Sequence, residues 1–121
     1  MTVVFVALAG GLGAVARFVV DGFIKDRARD GFPWGTLTIN LTGSLLLGFV
    51  VGLGFGALPE TLTHVVGAGF LGGYTTFSTA CVETVVLAQK REGAGAFFNA
   101  FGMLVASVLL AAFGLWLGVV L

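Results

Sequence analysis

A few polar side chains stand inside stretches that are otherwise apolar, and their spacing suggests chemistry. Thr36, Asn40 and Ser44 recur every four residues, which sets them along one face of a helix. Thr38 and Thr42 lie between them. Threonine and serine hydroxyls can close on a carbonyl of the preceding turn. The Asn40 amide cannot do this as well, and its NH₂ offers two donors. Such a group suits an anion that must shed its water, and it suits equally a bond between two helices. Further on comes Gly72-Gly73-Tyr74-Thr75-Thr76-Phe77-Ser78-Thr79. A glycine pair followed by a cluster of hydroxyl residues makes a poor continuous helix. Where a helix is interrupted, its freed carbonyls can hold a cation and its freed N–H groups can face an anion. A packed kink is the alternative reading. Phe77 lies within this segment, and the positive edge of its ring can touch a dehydrated anion. Arg17 lies deep in the first apolar stretch, free to reach the interface or to pair with Asp21 one turn on. Glu83 follows the hydroxyl cluster and reads as a solvated vestibule residue or a binding one. Ser107 is the hydroxyl of the last apolar stretch, and bonding to its own helix is its simplest role.

The elements that must hold these groups follow from composition. The chain has 121 residues, 58% hydrophobic and 10% charged, where a soluble domain carries about 25% charged residues. Mean hydropathy is +1.09. Too few charges exist to cover a water-exposed surface, and the apolar content excludes disorder. Six basic residues balance six acidic ones, so no basic face is available for nucleic acid. One cysteine, Cys81, and one histidine, His64, exclude a disulfide scaffold and a Cys/His metal cluster. No nucleophile–base set is visible, so an enzyme is not expected. An integral membrane protein is what remains.

A spanning helix needs about 20 mostly apolar residues. Four stretches qualify, at about 3–23, 34–55, 62–88 and 97–120, as one transmembrane domain over 1–121. The charged run Lys25 to Pro33 reads as a loop, as do Gly56 to Glu60 and Gln89 to Gly93. A β-barrel would need shorter segments with alternating polarity. A cleaved signal peptide is not expected in the first stretch, because no basic residue precedes its apolar run. The expected architecture is all-α, a membrane four-helix bundle with its third helix broken at the bilayer midplane. Glycines and alanines spaced by four (Gly48, Gly52 and Gly56; Gly10 and Ala14; Gly114 and Gly118) predict close helix packing in lipid. Four such helices enclose little space, so a solute path is more easily built between two chains.

Taken together, these segments resemble the CrcB/Fluc fluoride channels. Gly10-Gly11-Leu12-Gly13-Ala14-Val15-Ala16-Arg17 is similar to the family's GGxxGAxxR signature. Gly35 to Ser44 resembles its GTLxxNxxGS segment, and Gly72 to Thr79 its GGxTTFST break, with an acidic residue following at Glu83. The resemblance implies a passive channel that exports toxic fluoride from the cytoplasm across the cell membrane. It also implies an antiparallel dimer with two pores and one structural Na⁺. Carried over, backbone carbonyls of Gly72 and Thr75 would hold the Na⁺. Asn40 would line the pore as a donor and Phe77 would be a box phenylalanine. Ser78 and Thr79 would be polar neighbours, Glu83 a vestibule residue and Arg17 the basic position near the entrance. Ser107 alone would supply the polar track of the fourth helix. One departure is plain: a second phenylalanine usually follows the first after three residues, and here that place is Ala80.

Charge distribution bears on the partner. With four spans, Lys25, Arg27, Arg29, Lys90 and Arg91 share one side, and the other side has no lysine or arginine. Basic loops stay cytoplasmic, so both termini are expected outside. A chain that pairs with an inverted copy of itself needs little bias, so a sister subunit is the expected partner. Two other functions fit a chain of this size: a small multidrug exporter, and a non-conducting subunit that stabilises a partner.

Overall fold

The computed structural model describes residues 1–28 and 32–121. Among the described residues, four helical spans are long and apolar enough to cross a membrane: Thr2–Arg27, Trp34–Leu53, Glu60–Gln89 and Gly93–Val120. No strand occurs among the described residues. The first span is one helix, α1 (Thr2–Arg27), and the second is α2 (Trp34–Leu53). The third begins as α3 (Glu60–His64), passes through a π-helical stretch (Val65–Leu71), and reaches α4 (Gly72–Tyr74). It resumes as α5 (Ser78–Gln89). The fourth comprises α6 (Gly93–Phe97), a second π-helical stretch (Phe98–Gly102) and α7 (Met103–Val120).

The helices outrun the apolar stretches at several ends. The run from Lys25 to Pro33, expected as a loop, is still helical through Arg27. Lys25 and Arg27 occupy the last turn of α1, where cations complement the helix dipole. Arg29, one of the five basic residues in the orientation argument, lies outside the described residues. α2 ends at Leu53, so Gly56 belongs to the following turn and no helix packs on it. The α5 helix ends at Gln89, and two residues on Arg91 has a φ of 61°, in the left-handed region. Bonds from Arg91 N to Ala88 O and from Glu92 N to Leu87 O close that turn, a geometry that favours glycine.

Two tight helix pairs organise the bundle, and both are built on missing side chains. α1 packs on the third span: a Cβ at Gly13 would collide with the Phe70 carbonyl, and one at Gly73 with the Gly10 carbonyl. α2 packs on α7, where Gly48 and Gly52 meet the backbones of Ala111 and Leu115, and Gly114 and Gly118 meet those of Leu45 and Phe49. In lipid, burying apolar side chains brings no gain over leaving them in the bilayer, so backbone contact drives association. The interior is correspondingly slight. Its largest fully enclosed side chains among the described residues are Ile39, Thr36 and Asn99, and large side chains such as Phe18, Leu109 and Trp116 face outward.

Candidate functional site: a polar groove at the interrupted third span

Helical geometry stops at Tyr74 and restarts at Ser78. Thr75 turns to an extended conformation, with φ −82° and ψ 159°. Within a continuous helix the Thr76 N–H would bond the carbonyl of Gly72. Here it donates instead to Asn40 Oδ1 at 2.9 Å, and Asn40 Nδ2 donates to the Thr76 carbonyl at 2.8 Å. One amide thus replaces both backbone partners that Thr76 gives up. Asn40 Nδ2 also reaches Met103 Sδ at 3.2 Å, which ties the second, third and fourth spans together. The helix bond that Thr76 no longer makes leaves the Gly72 carbonyl without its usual donor. On the far side, Thr76 Oγ1 accepts from the Thr79 N–H at 3.1 Å, a side-chain cap for the restarting helix.

The glycine pair is not the break itself. Gly72 and Gly73 are helical, and Gly73 is small because α1 crosses it at Gly10. Gly43 performs a similar service: a Cβ there would strike the Thr75 methyl group. The interruption therefore falls at Thr75 to Phe77, where Asn40 is available to receive it.

Beside the break runs a groove of about 570 Å³ between α2, α5 and the fourth span. Asn40, Ser44, Thr75 and Thr76 line one side of it, Thr84, Asn99 and Ser107 the other, among apolar residues such as Leu47 and Leu104. Phe77 stands on its wall with a largely exposed ring, and Ala80 and Cys81 follow. Of the residues singled out from sequence, Asn40, Ser44, Thr75, Thr76, Phe77 and Ser107 meet here. Gly72 lies just before the break and is exposed, and Ser78 and Thr79 are exposed at the start of α5, away from the groove lining.

Arg17 and Glu83 stand elsewhere. Arg17 lies one turn beyond Gly13 on the face of α1 that meets the third span. Asp21 pairs with Lys25 at 3.0 Å rather than with Arg17. Glu83 lines a separate cavity of about 210 Å³ with Lys25, Trp34 and Lys90. Its carboxylate lies beside the Thr36 side chain, and Oε1 is buried without a hydrogen-bond partner. The stripe of Thr36, Asn40 and Ser44 is therefore divided between two sites, one facing Glu83 and the other facing the groove.

The sequence matches the family described as CrcB-like protein, Camphor Resistance (CrcB), over residues 4–119. The chain belongs to the CrcB family. Among similar proteins, "Fluoride-specific ion channel FluC 1" of Leifsonia xyli is 50% identical over 119 residues, covering 98% of this chain and 87% of its own. "Fluoride-specific ion channel FluC 2" of Cutibacterium acnes is 48% identical and covers 98% of both chains. A third, "Fluoride-specific ion channel FluC" of Syntrophotalea carbinolica, is 39% identical and covers 97% of both. With four apolar spans and these relatives, this CrcB chain is a multi-pass membrane protein.

Sequence reasoning missed Asn99. The expected fourth helix opens at about residue 97, which put Asn99 at its rim. The helix in fact begins at Gly93, so Asn99 lies a full turn inside and is 1% exposed. Its Nδ2 donates to Thr84 Oγ1 at 2.8 Å and to the Ala80 carbonyl at 3.3 Å. The available signal was simple: Asn99 is the chain's other asparagine, and it too interrupts an apolar run.

Proposed function

We propose that this chain is a subunit of a fluoride-selective channel that lowers cytoplasmic fluoride by passive flow, with the groove as the wall of its path. The observation that carries the reading is the run of hydroxyls and amides along the groove, Ser44, Asn40, Thr76, Thr84, Asn99 and Ser107, set in an apolar surround. Fluoride holds water tightly, and a path that strips this water must offer donors in return. A neutral lining supplies them without trapping the ion as a fixed positive charge would. Phe77 is exposed at the groove, where a ring edge can meet the dehydrated anion. The relatives named as fluoride-specific channels support the same assignment.

A structural Na⁺ at the break is part of the proposal. The donor set fits it: a hard monovalent cation takes carbonyl oxygens. The Gly72 carbonyl has lost its Thr76 donor to Asn40, and Thr75 has left helical geometry. Both would hold the ion through backbone oxygens, and the ion would supply positive charge that fixes the break without moving across the membrane. Gly72 is exposed, so a second chain can approach the same point. We place this chain in an antiparallel dimer, with a sister subunit inserted in the opposite sense, in the cell membrane and with both termini outside. The break then falls near the bilayer midplane.

Growth provides the test. Cells lacking their own fluoride export should grow in millimolar fluoride when they express this chain with its sister subunit. Equal sensitivity with and without it would contradict the proposal.

A further inference from the structure

Asn99 carries a buried polar atom that nothing satisfies. Its Oδ1 has no hydrogen-bond partner, in a side chain that is 1% exposed and lines the groove. A buried orphan of this kind costs about 1–3 kcal/mol. The residue sits in a π-helical stretch, Phe98–Gly102, a local geometry that recurs at functional sites. Its neighbours permit a second arrangement. Thr84 Oγ1 now accepts from Asn99 Nδ2 and donates to the Ala80 carbonyl at 2.8 Å. If the amide turns by half a revolution, the Thr84 hydroxyl can donate to Asn99 Oδ1 instead. The NH₂ group then stands where Oδ1 stands now. Without an acceptor, that state leaves two buried donors unsatisfied and is unfavourable. A small dehydrated anion in the groove would reverse the balance.

Building on the channel reading, we propose that Asn99 is an anion-contacting amide whose orientation is switched by Thr84: Oδ1 stays buried and unpaired when the groove is empty, and the NH₂ takes its place when a small anion reaches it from the groove. The Ala80 carbonyl anchors the resting state. Chloride, larger and less demanding of donors, would turn the amide far less.

Selective ¹⁵N-asparagine labelling of the full chain, with its sister subunit unlabelled, yields side-chain signals from Asn40 and Asn99 alone, and Asn99→Leu assigns them. Titration with sodium fluoride should shift the Asn99 NH₂ signals in a saturable way. Equal sodium chloride should leave them in place. In Thr84→Val the shift should need at least tenfold more fluoride, because the turned amide loses its donor. Asn99 signals that ignore fluoride, or that respond alike to both salts, would overturn the inference. Fluoride efflux from liposomes, run on the same preparation, separates the two readings. Shifted signals without efflux would support the amide switch and remove the conduction reading alone; efflux with unmoved signals would do the reverse.

Discussion

Replacing Asn40 by alanine should do more than remove one donor from the path. Its amide holds both the N–H and the carbonyl of Thr76, at 2.9 and 2.8 Å. Leaving two partly buried backbone groups unpaired costs roughly 2–6 kcal/mol in all, at about 1–3 kcal/mol each. Asn40 and Thr76 are half-buried rather than enclosed, so water can take over in part and the lower end applies. About 2 kcal/mol corresponds to a factor of about thirty. The Thr76 amide in Asn40→Ala should therefore exchange its hydrogen for deuterium about thirtyfold faster than in the parent chain, with fluoride efflux falling to a similar degree. Asn40→Asp separates the two roles of the residue. It keeps an acceptor for the Thr76 N–H but loses the donor to the carbonyl and adds negative charge. Exchange at Thr76 should rise only modestly, while fluoride efflux should be abolished. Unchanged exchange and unchanged efflux in Asn40→Ala would refute the view that this amide holds the break open.

Four further outcomes are expected. Thr76→Val removes the cap on the Thr79 N–H and should lower stability by about 1 kcal/mol, read as a fall in melting temperature in detergent. Gly13→Leu should destabilise the bundle by at least about 1–3 kcal/mol, because the new side chain meets the Phe70 carbonyl, whereas Gly11→Leu, with nothing within 4 Å, should melt like the parent chain. Exchanging Na⁺ for a bulky organic cation should reduce fluoride efflux or dissociate the subunits; indifference to every monovalent cation, at concentrations that empty the site, would count against the carbonyl site at Gly72 and Thr75. A reporter active only outside the cell should work on the C-terminus and one active only in the cytoplasm should not, while comparable activity of both would mean dual insertion and a homodimer.

The spans were legible because the bilayer imposes a length on any apolar run, and the helix ends were not, because charged residues extend a helix without extending its apolarity. Lys25 to Arg27 show this at the end of α1. Glycine spacing pointed correctly to Gly48, Gly52, Gly114 and Gly118 as points of backbone contact. In the first span both Gly10 and Gly13 meet the third span, but only at Gly13 would a Cβ collide, with the Phe70 carbonyl; one at Gly10 would lie 3.6 Å from the Gly69 carbonyl. Which small residue faces the neighbour depends on helix rotation, and a spacing of four leaves that open. The hydroxyl-rich segment announced an irregular backbone. The identity of the group that completes it, Asn40 from a separate helix 36 residues away in sequence, needs the third dimension. The same holds for Asn99, whose partners Thr84 and Ala80 lie on another span. Neither π-helical stretch leaves a mark in the apolar pattern, since a shift from 3.6 residues per turn over a few positions is too small to read against all-round apolar sequence.

Ion efflux from proteoliposomes measures fluoride-selective conduction itself. Vesicles loaded with potassium fluoride or potassium chloride, containing this chain and the proposed sister subunit, are given valinomycin so that K⁺ can follow the anion. Fluoride should leave rapidly and chloride should stay. Equal loss of the two ions, or retention of both, would contradict such conduction.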